Sequence, residues 1–294
     1  MKGVPKTPNV QKKILQWYGQ HKRPLPWRAT RDPYAITISE VMLQQTQVDR
    51  VIPKYHTWLK KFPNWKSLAQ ASKHEVLQLW SGLGYNSRAI RLRELARTVV
   101  ENRGVMPRAL EKLEELPGIG RYTAGAIMAF AFKKEVSFMD TNIRRVVRRI
   151  YFGTKNDVPE KKIAARAADL VPKGKADIWH HALMDLGAMV CISGRPRCEQ
   201  CPVRQQCRAY PNIMSMKPRR RMAKGETFRN SDRFWRGAIV RSLLQSGPTT
   251  RQSLWQSLPK APRLLSGRFQ KLVVELQRDG LLAIIGSKVK IAST

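Results

Sequence analysis

Four cysteines within seventeen consecutive residues constrain this chain more tightly than any other feature of its sequence. Cys191, Cys198, Cys201 and Cys207 follow the spacing C-x6-C-x2-C-x5-C. A secreted protein usually spreads its cysteines to join distant segments, whereas a tight cluster of thiolates can surround one compact metal centre. Four thiolates suit an iron–sulfur cluster and also zinc, although zinc modules usually combine two close cysteine pairs. The pattern therefore predicts a metal-binding loop over residues 188–207.

The net charge indicates what kind of partner the protein binds. The formal charge is +34 at pH 7, which implies a polyanion, either nucleic acid or an anionic membrane surface. No apolar run has the length of a transmembrane helix, and the basic residues 1–11 lack the apolar stretch of a signal peptide. We therefore expect a monomeric cytoplasmic protein, associated with the nucleoid in a prokaryote, that binds nucleic acid and no membrane.

Apolar residues recur at helical spacing before residue 208, and no convincing strand pattern interrupts them. Ser72 and Glu75 form a capping box at the start of one predicted helix, and Asn86 is a candidate N-cap for the next. Pro107 suits the first turn of a helix that ends near Leu116. Further helices are predicted at residues 122–132, 141–151, 159–171 and 177–190. The predicted fold class is mainly α.

The composition changes after the last cysteine. Residues 208–233 are basic and contain few large apolar side chains, which is typical of a linker. Residues 234–294 predict helices at 235–245, 251–258 and 266–279, followed by a hairpin with strands at 281–285 and 289–291. This order predicts a winged helix-turn-helix-like module, separated by the linker from a domain of residues 1–207. The cationic residues of the module predict that it binds phosphates.

Three short segments carry further chemistry. Residues 116–120 read LPGIG between two predicted helices, and Gly118 and Gly120 allow backbone N–H groups to approach a phosphate closely. A plain turn between two helices is the alternative. Asp140 follows in the segment MDTNIRRV, twenty residues after Gly120, and Glu40 lies in the segment SEVMLQQTQV.

These segments and the cysteine spacing occur in the order found in the helix-hairpin-helix DNA glycosylases, which the chain resembles over residues 20–207. The segment around Glu40 resembles the adenine-specific, MutY-like branch of that superfamily. The resemblance implies two helical lobes and a [4Fe–4S] cluster on the four cysteines. It also implies that the partner is double-stranded DNA containing a mispair or an oxidised guanine.

The resemblance implies hydrolysis of the N-glycosidic bond of a mispaired base. Glu40 lies in a mostly apolar stretch, and because burial raises the pKa of a carboxyl group, it would hold the proton that departing adenine needs. Asp140, with Asn142 in the same segment, would remain ionised and either stabilise the oxocarbenium-like sugar or bond to it covalently. Tyr122 stands where bifunctional relatives carry a nucleophilic lysine, which predicts a monofunctional enzyme. The alternatives are a surface glutamate, an aspartate that only caps a helix and a packed hairpin aromatic.

The resemblance also implies how the DNA is held. Trp27, Arg28 and His181 would line the pocket for the extruded base. Gln45, Thr46 and Asn86 would contact the DNA, and the first two would probe the duplex and the opposite base.

Two departures from the resemblance concern the opposite base. Asn86 ends the run GLGYN, where relatives usually have a second tyrosine that stacks beside the oxidised guanine. Relatives also end in a larger β-rich domain of the nucleotide-pyrophosphatase type, whereas the tail of this chain is short and helical.

Three functions therefore remain open. The first is excision of adenine opposite guanine or 8-oxoguanine, and the second is excision of thymine or uracil from mispairs with guanine. Glu40 favours the first, because pyrimidine-specific relatives often lack this residue. The third is a DNA-binding protein without catalytic activity, against which the pair of carboxylates argues.

Overall fold

The computed structural model describes residues 5–155, 157–215, 228–259 and 264–293. Most of the predicted basic linker, residues 216–227, therefore lies outside the described residues. Within the described ranges the chain is helical apart from one small sheet near its end, which confirms the predicted fold class. No helix in these ranges combines the length and the apolar character needed to cross a bilayer.

Fifteen α-helices, α1 to α15 in chain order, form the described part of the molecule. They are Thr7–His21, Pro33–Leu43, Val48–Lys61, Trp65–Gln70, Lys73–Trp80, Ser87–Glu101, Leu110–Glu114, Arg121–Phe130, Thr141–Phe152, Glu160–Asp169, Ala176–Met189, Asn212–Ser215, Asp232–Ser246, Arg251–Ser257 and Ser266–Arg278. Short 3-10 helices lie at Pro26–Arg28, Cys198–Gln200 and Phe228–Asn230. The strands β1 to β3 are Thr249–Thr250, Leu282–Ile285 and Lys288–Ile291.

Local sequence signals account for some of the helix boundaries. The capping box of α5 is present, since the Ser72 hydroxyl accepts from Glu75 N at 3.1 Å while the Glu75 carboxylate accepts from Ser72 N at 2.9 Å. Asn86 precedes α6, but its backbone is already helical (φ −56°, ψ −26°) and its side chain makes no capping hydrogen bond. The predicted capping role of Asn86 was therefore wrong.

The helix predicted between Pro107 and Leu116 is shorter than expected. It covers only Leu110–Glu114 (α7), and residues 115–120 form the turn that leads into α8. Gly118 lies in this turn with φ +76°, a left-handed conformation that ends a helix and favours glycine.

Contacts divide the described residues into two compact units. Unit 1 contains those of residues 1–36, 107–114 and 119–220, and unit 2 contains those of residues 37–106, 115–118 and 221–294. The predicted boundaries at residues 207 and 234 stay a prediction. The start of the predicted linker is nevertheless packed, because Arg208 N and Ala209 N donate to the carbonyls of Ile150 and Arg149, both at 3.0 Å.

The core of unit 1 is formed by the apolar faces of α1, α9, α10 and α11. Helix α9 shows why these faces meet. Its buried residues Ile143, Val146, Val147 and Ile150 follow the spacing i, i+3, i+4, i+7, which places them on one side of the helix. Full burial of each such side chain contributes about 1.5–3 kcal/mol. The packed face fixes the N-terminus of α9, where the predicted catalytic aspartate lies.

Unit 2 contains helices α3 to α6 and the C-terminal module. The module has three helices, α13 to α15, and the predicted hairpin, with the antiparallel strand order β1-β3-β2. The sequence prediction lacked only the two-residue strand β1. The module packs on α5, where Lys73 Nζ donates to the carbonyl oxygen of Gly280 at 3.2 Å.

Candidate functional site

The glycine-rich turn leads directly into the N-terminus of α8. Gly120 is the N-cap of this ten-residue helix. A Cβ atom on Gly118 would lie 3.0 Å from Arg91 Cβ, so this position has little room for any side chain. The first N–H groups of a helix have no partner within it and carry a partial positive charge. The turn is therefore suited to a DNA phosphate, as predicted for Gly118 and Gly120.

Asp140 caps the N-terminus of α9 and carries two hydrogen bonds. Its Oδ1 accepts from Ile143 N at 2.7 Å, and its Oδ2 accepts from the side-chain amide of Asn142 at 2.8 Å. Two donors and the positive end of a helix dipole suit a negatively charged carboxylate. The capping interpretation is thus correct in structure, and it is compatible with a catalytic role because capping fixes the orientation of the carboxylate.

A second layer of hydrogen bonds holds Asn142 in place. The Oδ1 of Asn142 accepts from an Arg145 terminal nitrogen at 2.7 Å. Arg145 also donates to the carbonyl oxygens of Gly187 and Cys191, both at 2.7 Å. Asp140 is therefore connected through Asn142 and Arg145 to Cys191, the first of the four cysteines.

The four cysteines line one small, otherwise mostly apolar cavity in unit 1, and all four are free thiols. Arg149 lies beside them and donates to Cys191 Sγ at 3.4 Å. Burial raises the pKa of the Cys201 thiol to about 12, so thiolates here need positive charge, which a cluster of iron ions supplies. Within the described ranges no three His, Cys, Asp or Glu side chains are grouped as a ready metal site. The donor set of four thiols and the mostly apolar lining of the cavity nevertheless fit an iron–sulfur cluster.

The three predicted base-pocket residues line a single cavity of about 680 Å³ in unit 1. Trp27 and Arg28 come from the short 3-10 helix after α1, and His181 comes from α11. The His181 imidazole stacks on the Phe130 ring with centroids 4.0 Å apart. Burial, followed by the charge of Arg28, lowers the pKa of His181 to about 3. His181 is therefore a neutral group in this cavity at physiological pH.

Asp185 fixes the arginine of this cavity. Its fully buried carboxylate accepts two hydrogen bonds from Arg28, at 2.7 and 2.8 Å. It also accepts from Arg23 Nε at 2.6 Å and from Arg23 N at 3.1 Å. A bidentate pair of this kind restrains the guanidinium plane, so Arg28 is held at the cavity wall before any ligand binds.

The second predicted carboxyl group, Glu40, lies in unit 2 near the end of α2. It is 5% exposed, with Ser39 and Val41 also buried beside it. The alternative of a surface glutamate is therefore wrong.

Tyr122 lies in the first turn of α8, where its ring packs edge to face on Phe138 with the ring centroids 5.4 Å apart. The packed-aromatic interpretation of Tyr122 thus describes its position correctly.

A buried arginine of α6 holds the turn that carries the residues predicted to probe the duplex, Gln45 and Thr46. Arg88 donates to the carbonyls of Val41 and Gln44, both at 2.7 Å, and to that of Gly84 at 2.9 Å. Gln45 follows with φ +54°, a conformation that is uncommon for a residue other than glycine and that often marks a functional site. Arg88 therefore fixes the turn that carries Gln45 and Thr46.

Sequence reasoning did not identify Arg88, Arg145 or Asp185. The sequence does contain an indication of Asp185, because it is the one charged residue in the otherwise apolar stretch 182–187. The sequence does not single out Arg88 or Arg145, since both lie among several other basic residues of α6 and α9.

Comparison with known proteins identifies relatives of the chain. The family model described as HhH-GPD superfamily base excision DNA repair protein matches residues 38–173. A mouse protein named adenine DNA glycosylase is 46% identical over 68% of this chain, but the match spans only 41% of the mouse protein. A protein of the same name from Mycolicibacterium smegmatis is 38% identical over 93% of this chain and 95% of its own length. A solved structure of a thermostable thymine-DNA glycosylase is 34% identical with a TM-score of 0.66, covering 70% of this chain and 97% of its own.

Proposed function

Because the chain belongs to the HhH-GPD superfamily of base excision DNA repair proteins, we propose that it is a DNA glycosylase that excises adenine mispaired with guanine or 8-oxoguanine. The observation that carries the proposal is the pair of carboxyl groups, of which Glu40 is buried and Asp140 is held by two donors. The near full-length match to the mycobacterial adenine DNA glycosylase supports the choice of base. The partner is accordingly double-stranded DNA that contains the mispair.

The proposed reaction hydrolyses the bond between C1′ of the deoxyribose and the base. The buried carboxyl group of Glu40 donates a proton to the departing adenine, which leaves with the electrons of the bond. The Asp140 carboxylate stabilises the positive charge that develops on the sugar. Glu40 then accepts a proton from the attacking water, whose oxygen forms the new bond to C1′. The products are free adenine and an abasic site.

Tyr122 supports a monofunctional enzyme. A phenol cannot form the Schiff base through which a lysine amine would attack the sugar and prepare strand cleavage. The strand at the abasic site should therefore remain intact until alkali is added.

We propose that Cys191, Cys198, Cys201 and Cys207 hold a [4Fe–4S] cluster. When bound, the cluster cross-links the loop after α11 and supplies positive charge to four thiolates. Protein prepared without oxygen should contain about four irons per chain. Stoichiometric zinc in place of iron would contradict the assignment.

Thymine or uracil excision is the second candidate. The thymine-DNA glycosylase structure, at 34% identity, is the observation that favours it. A panel of duplexes containing A:G, A:8-oxoguanine, T:G or U:G, each treated with alkali after incubation, separates the candidates. We expect cleavage at the adenine strand of the first two duplexes only.

Two variants test the catalytic assignment in the same panel. Glu40→Gln and Asp140→Asn should each abolish excision, because each removes a group that acts on the transition state. DNA affinity should change little, since it arises from phosphate contacts. Wild-type turnover by either variant would show that the assigned residue is not catalytic. Absence of excision by the wild-type protein on every duplex would favour the non-catalytic DNA-binding alternative.

A further inference from the structure

A cleft of about 170 Å³ in unit 2 lies between the loop of residues 82–86 and helix α13 of the C-terminal module. Three arginines line it, namely Arg50 from α3 and Arg233 and Arg241 from α13. All three side chains are exposed to solvent. The module and the loop thus build this cationic cleft together.

Arg233 joins the module to the loop. Its guanidinium lies over the ring of Tyr85, 4.4 Å from the centroid, and donates to the Tyr85 hydroxyl at 3.2 Å. The backbone of Tyr85 is left-handed (φ +49°), which turns its ring toward the module at some conformational cost. Burial, and then the charge of Arg233, lower the pKa of Arg88 behind Tyr85 to about 10. The cleft itself gathers three guanidinium groups, those of Arg50, Arg233 and Arg241.

The cleft arginines differ in their pairing from two other arginines of the module, Arg236 and Arg268. Arg236 and Arg268 form ion pairs, with Glu275 and Asp279 and with Asp232, respectively. Among the residues that the structure describes, no carboxylate pairs with Arg50, Arg233 or Arg241, although Arg50 donates to the carbonyl of Gly82. Among the described residues, the guanidinium groups of the cleft therefore remain available to an anionic ligand.

A glycine of helix α13 lies on the wall of the cleft and leaves space there for the Arg241 side chain. Gly237 lies in the interior of α13 and lines the cleft, one turn before Arg241. A Cβ atom at this position would lie 3.3 Å from an Arg241 terminal nitrogen and in contact with no other side chain. Glycine is disfavoured in a helix interior, so its presence here is explained by the space that the Arg241 side chain occupies above it.

We propose that this cleft binds a phosphodiester group of the DNA backbone, with Arg241 and Arg50 as the main ligands and Arg233 as the residue that assembles the cleft. Guanidinium groups match phosphate oxygens in charge and geometry. Asn86, which the sequence predicts to contact DNA, lines the same cleft. The site lies outside the catalytic carboxylates and goes beyond the proposed excision reaction.

The test measures binding of the full-length protein to a fluorescent, fully matched duplex over a series of salt concentrations. Arg241→Ala should weaken binding and make the slope of log affinity against log salt shallower by about 0.9, the value for one phosphate contact. The control is Arg278→Ala, which removes the same charge from an exposed position in the last turn of α15. This control should leave the slope at its wild-type value.

A second variant separates a defined site from a diffuse basic surface. Gly237→Leu retains every charge and favours the helix, but its side chain fills the cleft, so binding should weaken as it does in Arg241→Ala. Wild-type affinity in Gly237→Leu, or equal slopes in Arg241→Ala and Arg278→Ala, would overturn the proposal. Thermal unfolding of each variant verifies that the fold is retained. Because a matched duplex involves no excision, this result is independent of the wild-type panel that tests the proposed function.

Discussion

The side-chain amide of Asn142 donates a hydrogen bond to the carboxylate of Asp140, at 2.8 Å, and its own oxygen is held by Arg145 at 2.7 Å. The amide can serve both neighbours because one end is a donor and the other an acceptor. Reversal of the amide would place its oxygen against a carboxylate and its NH2 against a guanidinium. The Asn142 amide therefore has one favourable orientation, and in that orientation its NH2 group holds the Asp140 carboxylate in place.

Asn142→Asp tests this relationship. The new carboxylate can still accept from Arg145, but it removes the donor to Asp140 and places a second negative charge beside it. We expect the single-turnover excision rate to fall by about 100-fold, comparable with the loss of a positioned catalytic donor. Affinity for DNA should fall much less. Asn102→Asp, the same change at an exposed residue after α6, should keep the wild-type rate; equal rates in the two variants would contradict the positioning role.

The second prediction concerns Gly187 of α11, whose lack of a side chain allows Asn142 of α9 to lie close to the α11 backbone. A Cβ atom on Gly187 would lie 2.6 Å from Asn142 Cβ and 3.1 Å from its Cα, so one of the two helices would have to move. Gly187→Ala should destabilise the protein by about 1–3 kcal/mol through overpacking and should slow excision. Gly267→Ala, in the first turn of α15 with open space around it, should instead be neutral or stabilising by up to about 1 kcal/mol. Denaturant unfolding of both variants provides the comparison.

Local patterns predicted the parts of this structure that depend on nearby residues. The spacing of Ile143, Val146, Val147 and Ile150 predicts α9, and Asp140 before it is a standard capping residue. The boundaries of α8 to α11 differ from the predicted ones by two residues at most. The four cysteines line one cavity, while the metal site that their spacing predicts stays a prediction.

Non-local partners could not be predicted in this way. Arg233 meets Tyr85 across 148 positions of the chain, and Asp185 meets Arg28 across 157. Nothing in the sequence near either residue indicates its partner, since 55 lysines and arginines compete for 21 acidic residues. The tertiary fold decides these pairs, and they in turn position the cavity wall and the cationic cleft.

The third prediction concerns the contribution of Asp185 to the stability of the fold. Its carboxylate is fully buried and shared by Arg23 and Arg28, so removal of its charge leaves a nearly buried guanidinium without a counterion. Asp185→Asn should lower the free energy of unfolding by about 3–5 kcal/mol, the range for a broken buried pair. Glu160→Gln, which breaks an exposed pair with Arg144, should cost at most about 1 kcal/mol. Similar shifts of the denaturation midpoint in the two variants would show that the buried ion pairs of Asp185 stabilise the fold no more than an exposed pair does.

The last prediction concerns stability in acid and rests on His180. This residue is 1% exposed, its Nε2 accepts from Phe138 N at 3.3 Å, and its Nδ1 lies 2.7 Å from the carbonyl oxygen of Ala176. These partners require the neutral imidazole with its proton on Nδ1, and burial lowers the pKa of His180 from 6.5 to about 4. Between these two values the unfolded chain binds a proton that the folded chain does not. The stabilising contribution is therefore complete above pH 6.5 and is lost as the pH falls toward about 4, by at most about 1.4 kcal/mol per pH unit.

His180→Phe keeps an aromatic ring against Phe138, on which the imidazole now stacks at 4.0 Å, and removes the titrating group. The variant should be less stable at pH 7.5, because the N–H of Phe138 loses its acceptor. Its stability should, however, decline less steeply between pH 6.5 and pH 4 than that of the wild type. His56→Gln, which removes an exposed histidine, should leave the slope unchanged. The carboxylates that titrate in the same range are present in all three proteins and contribute equally to each slope. Urea unfolding at several pH values measures both slopes. Identical slopes in the wild type and His180→Phe would mean that His180 does not contribute to the acid sensitivity of the fold.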